Sequence, residues 1–310
     1  MTKPTPILIA GPTASGKSAL ALAIAEEIGG TVINADAMQV YRELRILTAR
    51  PTEEDERKVP HALYGHVPAA EAYSAARYAT EARAAIENAQ GGGRTPIIVG
   101  GTGLYFKALT EGLSPIPAIP DDVRFYWRAR AAEEGAAALH AVLKQRDPEM
   151  AARLQETDPQ RVVRALEVLE ATGVSLARWQ EQPGEPVLSI DPDRAFVVTR
   201  DRADLRSRCD ARFGAMMREG ALDEVRNLRD LGLSSDLPAM RAIGVVPLIA
   251  LIDGRLTEEG AAEAVQAETR QYVKRQETWI KRNMIAWKSI HQQEMESLPS
   301  NIRAIIKVSP

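Results

Sequence analysis

The chain of 310 residues is poor in cysteine, in aromatics and in long apolar runs. A single cysteine, Cys209, excludes an intramolecular disulfide framework and a cysteine-based zinc site. With no reactive context around it, Cys209 reads as a small core residue rather than a nucleophile. No stretch reaches the ~18 apolar residues that a membrane span needs. The apolar run at 7–10 is too short for a signal-peptide core, so a cytoplasmic protein is expected. Neither sign of charge dominates: 39 Lys and Arg stand against 42 Asp and Glu, a net charge of −3. That excludes a polycation that coats nucleic acid by bulk charge, but it does not exclude a local basic patch.

What is present is ordinary for a folded protein. Apolar residues at 45% and charged residues at 26% exclude wholesale disorder. At roughly 150 residues per domain, the length suggests two domains or one large domain with an insertion.

Strand and helix signals alternate through the first hundred residues. Residues 7–10, 31–33 and 96–99 read as short buried strands. Residues 17–28 and 75–90 read as helices, closed by Gly29-Gly30 and by Gly91-Gly92-Gly93. This alternation predicts a parallel sheet covered on both faces. The pattern changes at 113–120, where three prolines in eight residues suggest a linker. From Asp121 to about Gly173 there is only helix signal. A Pro/Gly/acidic stretch at 182–193 precedes another buried strand at 195–199. The expected organisation is an α/β core, residues 1–118 and 194–310, interrupted by a helical insertion at 119–193.

Gly11-Pro12-Thr13-Ala14-Ser15-Gly16-Lys17-Ser18 matches G-x-x-x-x-G-K-[ST] in full, between a short apolar strand and a helix. The glycines let backbone N–H groups curl toward one centre, and the helix N-terminus adds partial positive charge. Lys17 supplies a full charge to the phosphates, and the Ser18 hydroxyl suits a Mg²⁺ ligand. The loop signals a di- or triphosphate and leaves open whether ATP binds. A P-loop ATPase or GTPase also has an apolar strand ending in an Asp for Mg²⁺. Here the strand at 96–99 runs into Gly100-Gly101-Thr102, with no acid. The acid beyond a strand is Asp36. On these grounds it could support Mg²⁺ from the outer shell, act as a general base, or start a turn. Ligands of open parallel sheets sit beyond the C-terminal strand ends. The stretches 11–18, 36–39 and 101–102 are therefore expected to converge on one crevice.

Three segments carry a resemblance. The phosphate loop, Asn34-Ala-Asp-Ala-Met-Gln-Val-Tyr41 and Val99-Gly-Gly-Thr-Gly-Leu-Tyr-Phe-Lys-Ala-Leu109 resemble the tRNA dimethylallyltransferase (tRNA isopentenylpyrophosphate transferase) family. Glu111-Gly-Leu-Ser-Pro115, Asp158-Pro-Gln-Arg-Val-Val-Arg-Ala-Leu-Glu-Val168, Thr269-Arg-Gln-Tyr-Val-Lys-Arg-Gln276 and Trp279 extend the match in order along nearly the whole chain. With no zinc-finger extension, the resemblance is to the bacterial form. It implies a P-loop nucleoside-triphosphate-hydrolase-like sheet with a helical insertion that contacts tRNA. It also implies transfer of a dimethylallyl group from dimethylallyl diphosphate to N6 of the adenosine just 3′ of the anticodon. Mg²⁺ is the implied cofactor, the anticodon stem-loop the implied partner, and a monomer the expected state.

The implied roles follow the matched positions. Gly11, Pro12, Thr13, Ala14, Ser15, Gly16, Lys17, Ser18 and Arg212 would hold the diphosphate, with Ser18 placing Mg²⁺ and Thr13 and Lys17 assisting catalysis. Asp36 would take the N6 proton. Asp36, Ala37, Met38 and Gln39 would recognise the adenine. Thr102, Arg124, Gln160, Arg161, Val162, Val163 and Arg164 would contact tRNA. The chemistry is coherent. An exocyclic adenine amine is a weak nucleophile, and a carboxylate bonded to it raises its electron density as the C–N bond forms. The leaving diphosphate needs neutralising charge, and the target base must leave its stack.

The chain departs from the family at three places. His61-Ala-Leu-Tyr-Gly-His66 stands where the family often has His-His-Leu-Ile-Asp, and His61 and His66 are read as cleft-lining or as surface residues. Ile46-Leu-Thr-Ala-Arg-Pro51 replaces a frequent Ile-Gly-Thr-Ala-Lys-Pro. Ala242-Ile-Gly-Val-Val246 lacks the usual Tyr and base after Gly.

Two basic elements stand out. Asp158 and Pro159 start a helix that puts Arg161 and Arg164 in its first turns, where cations oppose the helix dipole. An RNA phosphate or an ion pair with Asp158 or a nearby glutamate would relieve that. Residues 269–288 hold six basic residues against Glu277. One helix is expected there, with Tyr272, Val273, Trp279, Ile280, Met284 and Trp287 facing the core. Arg270, Lys274, Lys281 and Lys288 would then form an adjoining stripe, either a phosphate track or a solvated face. Other functions for the chain are a small-molecule P-loop phosphotransferase, an adenylate isopentenyltransferase and a nucleotide-gated RNA-binding module.

Overall fold

The computed structural model describes residues 3–291. They form two compact units: one from residues 3–110 and 187–291, the other from Glu111–Pro186. The first stretch of unit one holds β1 (Ile7–Ala10), α1 (Lys17–Ile28), β2 (Gly30–Asn34) and α2 (Glu53–Lys58). It continues with β3 (His61–Ala62), α3 (Ala75–Gly91), β4 (Thr95–Gly100) and α4 (Gly103–Thr110). Unit two holds α5 (Asp121–Arg146), α6 (Pro148–Arg153), α7 (Pro159–Thr172) and α8 (Leu176–Gln180). The chain then returns to unit one with β5 (Ala195–Thr199), α9 (Arg202–Arg218), α10 (Ala221–Asp230), α11 (Val245–Ile252), α12 (Glu258–Asn283) and β6 (Lys288–His291).

Among the described residues the sheet has six strands, all parallel, in the order β3-β2-β4-β1-β5-β6. Successive side chains point to opposite faces, so each strand feeds two cores. Ile7, Ile9, Val32, Ile97, Val99, Phe196 and Val198 pack with Leu20 and Ile24 of α1. Leu8, Ala10, Ile33, Ile98 and Val197 pack with Tyr78 and Ile86 of α3 and with Tyr105 and Phe106 of α4. Burial of both faces explains why the strands read as unbroken apolar runs. β3 and β6 carried no such signal: one has two residues, and the other is polar Lys-Ser-Ile-His.

The C-terminal segment corrects an expectation. α12 stops at Asn283, so residues 269–288 are not one helix. Met284 and Trp287 are buried on the sheet, and Lys288 lies on β6, where its ammonium pairs with Asp193. Lys288 therefore does not extend the stripe of Arg270, Lys274 and Lys281.

The unit boundaries also move. The first falls at 110/111 instead of 118/119, and the second at 186/187 instead of 193/194. Val187 and Leu188 both donate backbone N–H groups to Leu109 and pack on the sheet core, so they belong with it. Ile116 and Ile119 of the proline-rich stretch instead pack in the core of unit two, with Trp127, Leu139, Val162 and Leu166. Prolines remove backbone donors but leave these apolar side chains free to pack. In α7 the Asp158 side chain caps the Arg161 N–H and Gly173 closes the helix at φ 66°, as the sequence predicts.

Candidate active site

The phosphate loop leaves the C-terminal end of β1, flanked by β4 and β5. Its path needs left-handed backbone at Ala14 (φ 63°) and Gly16 (φ 99°). A Cβ on Gly11 would fall 2.9 Å from the Val198 carbonyl oxygen, so the turn rises close against β5. No side chain caps α1, which leaves first-turn N–H groups for an anion. Lys17 folds back to donate to the Pro12 carbonyl at 3.2 Å. Burial pulls its ammonium down to about 8; the Asp36 carboxylate opposes that shift and Arg212 adds to it.

Three arginines clasp the loop. Arg200, just past β5, donates to the Ser15 carbonyl at 2.7 Å and pairs with Asp204. Arg208 and Arg212, one turn apart on α9, reach the Ala14 carbonyl (3.0 Å) and the Thr13 hydroxyl (2.6 Å). Burial lowers the Arg212 pKa from its ordinary value.

Asp36 sits in a turn built by its neighbours. Buried Asn34 accepts the Asp36 N–H at 2.8 Å and donates to the carbonyls of Asp36 and Leu63. One Asp36 carboxylate oxygen accepts the Met38 N–H at 3.0 Å. Thr102 ties this turn to β4, since its hydroxyl accepts the Ala37 N–H at 2.9 Å. The approach is close: a Cβ on Gly100 would lie 2.0 Å from the Ala35 carbonyl oxygen. Tyr64, Tyr105 and Tyr272 are all pushed up in pKa, first by burial and then by the Asp36 charge, so the carboxylate stands among neutral phenols.

These ends open into one cleft of about 430 Å³. Its lining includes the polar Thr13, Asp36, Thr102, Arg212, Arg275 and Gln276 and the apolar Met38, Leu47, Phe213, Met216, Ile243 and Val265. The cleft thus combines charged and apolar side chains in its lining. α12 closes the cleft where glycines admit it: a Cβ on Gly101 would strike Gln276 and one on Gly103 would strike Trp279.

A family model described as IPP transferase matches residues 39–283, and one described as isopentenyl transferase matches 5–66. The chain is 51% identical over 300 residues to a tRNA dimethylallyltransferase of Parvibaculum lavamentivorans, covering 97% of this chain and 95% of that protein. It is 55% identical over 283 residues to a tRNA dimethylallyltransferase of Agrobacterium fabrum, covering 90% and 93%. The chain belongs to the IPP transferase family. The solved tRNA isopentenylpyrophosphate transferase of Bacillus halodurans is similar at a TM-score of 0.67 and 30% identity, over 99% of this chain and 97% of that one. A eukaryotic dimethylallyltransferase acting on tRNA gives a TM-score of 0.79 at 27% identity, over 97% and 78%.

Within this family member, Thr13, Asp36, Ala37, Met38, Thr102 and Arg212 share the cleft. Gln39 does not line it. Its amide donates to the carbonyls of Thr48 and Ala49, both at 2.9 Å, and is spent holding that loop. Ser18 is exposed in the first turn of α1. Arg124 and the segment from Gln160 to Arg164 lie in unit two. Val162 and Val163 are buried in that unit's core, so their side chains are not available to RNA. Gln160 is exposed. Arg161 pairs with Asp158 at 3.3 Å and Arg164 with Glu167 at 3.4 Å, and both guanidinium-bearing side chains stay at least partly exposed beside those pairings. His61 and His66 do not line the cleft; they bond the Val59 carbonyl and Glu81. Cys209 is buried, as expected, but lines the cleft instead of a hydrophobic core, and burial pushes its thiol up. At the divergent segment, Val245 is buried and Val246 exposed.

Sequence reasoning missed Asn34, Arg200, Arg208 and Gln276. Arg208 had a local signal, one helical turn before Arg212. Gln276 had none beyond its place in a matched motif.

Proposed function

We propose that this chain is a tRNA dimethylallyltransferase that moves the dimethylallyl group of dimethylallyl diphosphate to N6 of the adenosine 3′ of the anticodon, releasing diphosphate. One observation carries the reading: Asp36 shares a cleft with Thr13 of the phosphate loop, with Arg212 that bonds it, and with apolar side chains. The diphosphate takes the free N–H groups at the start of α1, Lys17 and Arg212, and the five-carbon tail takes the apolar side chains of the cleft. The N6 lone pair attacks C1 of the donor as the C1–O bond breaks. The bonding pair leaves with the diphosphate, and Asp36 accepts the N6 proton. Arg212 and Lys17 neutralise the charge that grows on the leaving group. Thr102 and the Asn34 amide keep Asp36 aimed into the cleft.

The donor set suits Mg²⁺. The described residues contain no group of three acidic, His or Cys side chains that would make a protein cage. Ser18 offers a hard hydroxyl beside the diphosphate cradle, and Mg²⁺ keeps waters and takes substrate phosphates as ligands. Bound there, Mg²⁺ would supply further charge neutralisation. The tRNA contact falls to Arg124, Gln160, Arg161 and Arg164. Among the described residues no helix is long and apolar enough to cross a membrane. We read the protein as a cytoplasmic monomer.

The test is one incubation with labelled dimethylallyl diphosphate, Mg²⁺ and unmodified tRNA. Label on tRNA supports the reading. Label on a free adenine nucleotide instead, or phosphate transfer from ATP to a metabolite with unlabelled tRNA, overturns it.

A further inference from the structure

Unit two presents an aromatic side chain that its own core does not use. Phe125, in the first turns of α5, is 80% exposed. Its neighbours are engaged. Trp127 is buried under the guanidiniums of Arg130 and Arg146. Tyr126 accepts from Arg130 at 3.3 Å and packs edge-on against Trp127. Among the described residues, Phe125 makes no ring or cation–π contact.

Basic groups run on from it. Arg128 lies three residues along α5, on the same face as Phe125. Its guanidinium is 3.5 Å from Glu167, and Arg164 reaches the other oxygen of that carboxylate at 3.4 Å. Glu167 is buried, so one carboxylate pins two guanidiniums side by side and leaves the pair with net positive charge. Each guanidinium has five N–H donors, and this arrangement uses few of them. Arg161 continues the row one turn back on α7; its side chain is 74% exposed.

We propose that Phe125 is a base-stacking platform for RNA, with Arg128, Arg164 and Arg161 taking the adjacent phosphates. The inference rests on tRNA being the substrate and adds a residue to how it is held. Bulk charge does not choose the partner, because Arg124, Arg128, Arg161 and Arg164 stand against Asp121, Asp122, Asp158 and Glu167. The choice follows from tRNA being the substrate and from the exposed ring lying on the same helix face as a guanidinium. Unstacked bases and their phosphates suit an exposed ring beside arginines.

The test uses the full chain and unmodified tRNA, with affinity measured at three salt concentrations. Phe125→Ala is expected to weaken binding roughly ten-fold at every salt, because stacking releases no counterions. Phe125→Trp restores binding. Arg161→Ala lowers the slope of log Kd against log salt by about 1. Leu231→Ala, another exposed apolar side chain, is the control and leaves affinity unchanged. Wild-type affinity in Phe125→Ala overturns the proposal, and so does a shift in oligomeric state as the sole effect. If the wild-type chain does not bind tRNA, the functional reading falls and this inference with it.

Discussion

The Gln276 side chain joins the phosphate loop to the end of β4 through Thr13. Its carbonyl oxygen accepts the Thr13 N–H at 2.9 Å, and its amide nitrogen donates to the Gly101 carbonyl at 3.0 Å. Gln276 is buried and lies within reach of the Tyr272 hydroxyl, which also meets Thr102. Two strand ends and α12 are thus held by one amide. Gln276→Leu keeps the bulk but leaves a donor and an acceptor unpaired, at about 1–3 kcal/mol each. The expected outcome is a KM for the prenyl donor raised about ten-fold or more, with a lower Tm. Gln276→Glu is expected to raise that KM further, since it sets an anion beside the diphosphate. Steady-state kinetics with each substrate varied in turn, plus thermal melts, check this. An unchanged donor KM in both variants would contradict it.

Asp36→Asn retains an acceptor for the Met38 N–H, so the turn should survive. The lost proton acceptor should lower kcat by about 10²–10⁴. tRNA affinity should stay near wild type. Single-turnover transfer and filter binding separate the two, and wild-type kcat would remove Asp36 from the chemistry.

Lys17 predicts a pH dependence for donor binding. Its pKa is about 8, below the ordinary 10.5, mainly through burial. Diphosphate favours the protonated form, so donor affinity should fall as pH rises through about 8, by at most about ten-fold per pH unit. Binding above that pH should take up a proton, visible in calorimetry across buffers of different ionisation heat. Lys17→Met should bind weakly with no such step. Between about 8 and 10.5 the folded chain holds fewer protons at Lys17 than the unfolded chain, so this group's contribution to stability rises with pH.

Gly100→Ala should destabilise unit one. The new Cβ would sit 2.0 Å from the Ala35 carbonyl oxygen, against backbone that cannot swing aside. A loss of more than about 3 kcal/mol is expected, beyond the usual cost of overpacking. Gly91→Ala, with nothing within 4 Å at a helix end, is expected to be neutral or stabilising by up to about 1 kcal/mol. Denaturant midpoints for the two variants test the contrast.

Much of this site was legible in the linear chain. The eight residues of the phosphate loop announce themselves because a phosphate cradle is local: strand, curl and helix start follow one another. Four of the six strands stood out because both their faces are buried. β3 and β6 did not, since edge strands carry little apolar signal. The basic stretch at 269–288 misled for a related reason. Helical spacing continues through Met284 and Trp287, yet their burial on the sheet ends the helix at Asn283 and turns Lys288 into a strand. Val162 and Val163 sat within a matched segment, but α7 turns them into the core of unit two while Arg161 and Arg164 stay outside.

The sequence by itself determined the parallel α/β core, the phosphate loop, Asp36 beyond β2 and an interrupting helical unit. Each is written in a window of a dozen residues or in the order of such windows. Only the tertiary structure decided that Arg200 and Arg208 grip the loop, that Gln39 serves a turn instead of the cleft, and that Gln276 meets Thr13 from 263 residues away. A buried backbone group must find a partner, but nothing in its own stretch of chain says which side chain that will be. Packing chooses among them, and packing is set by the whole fold.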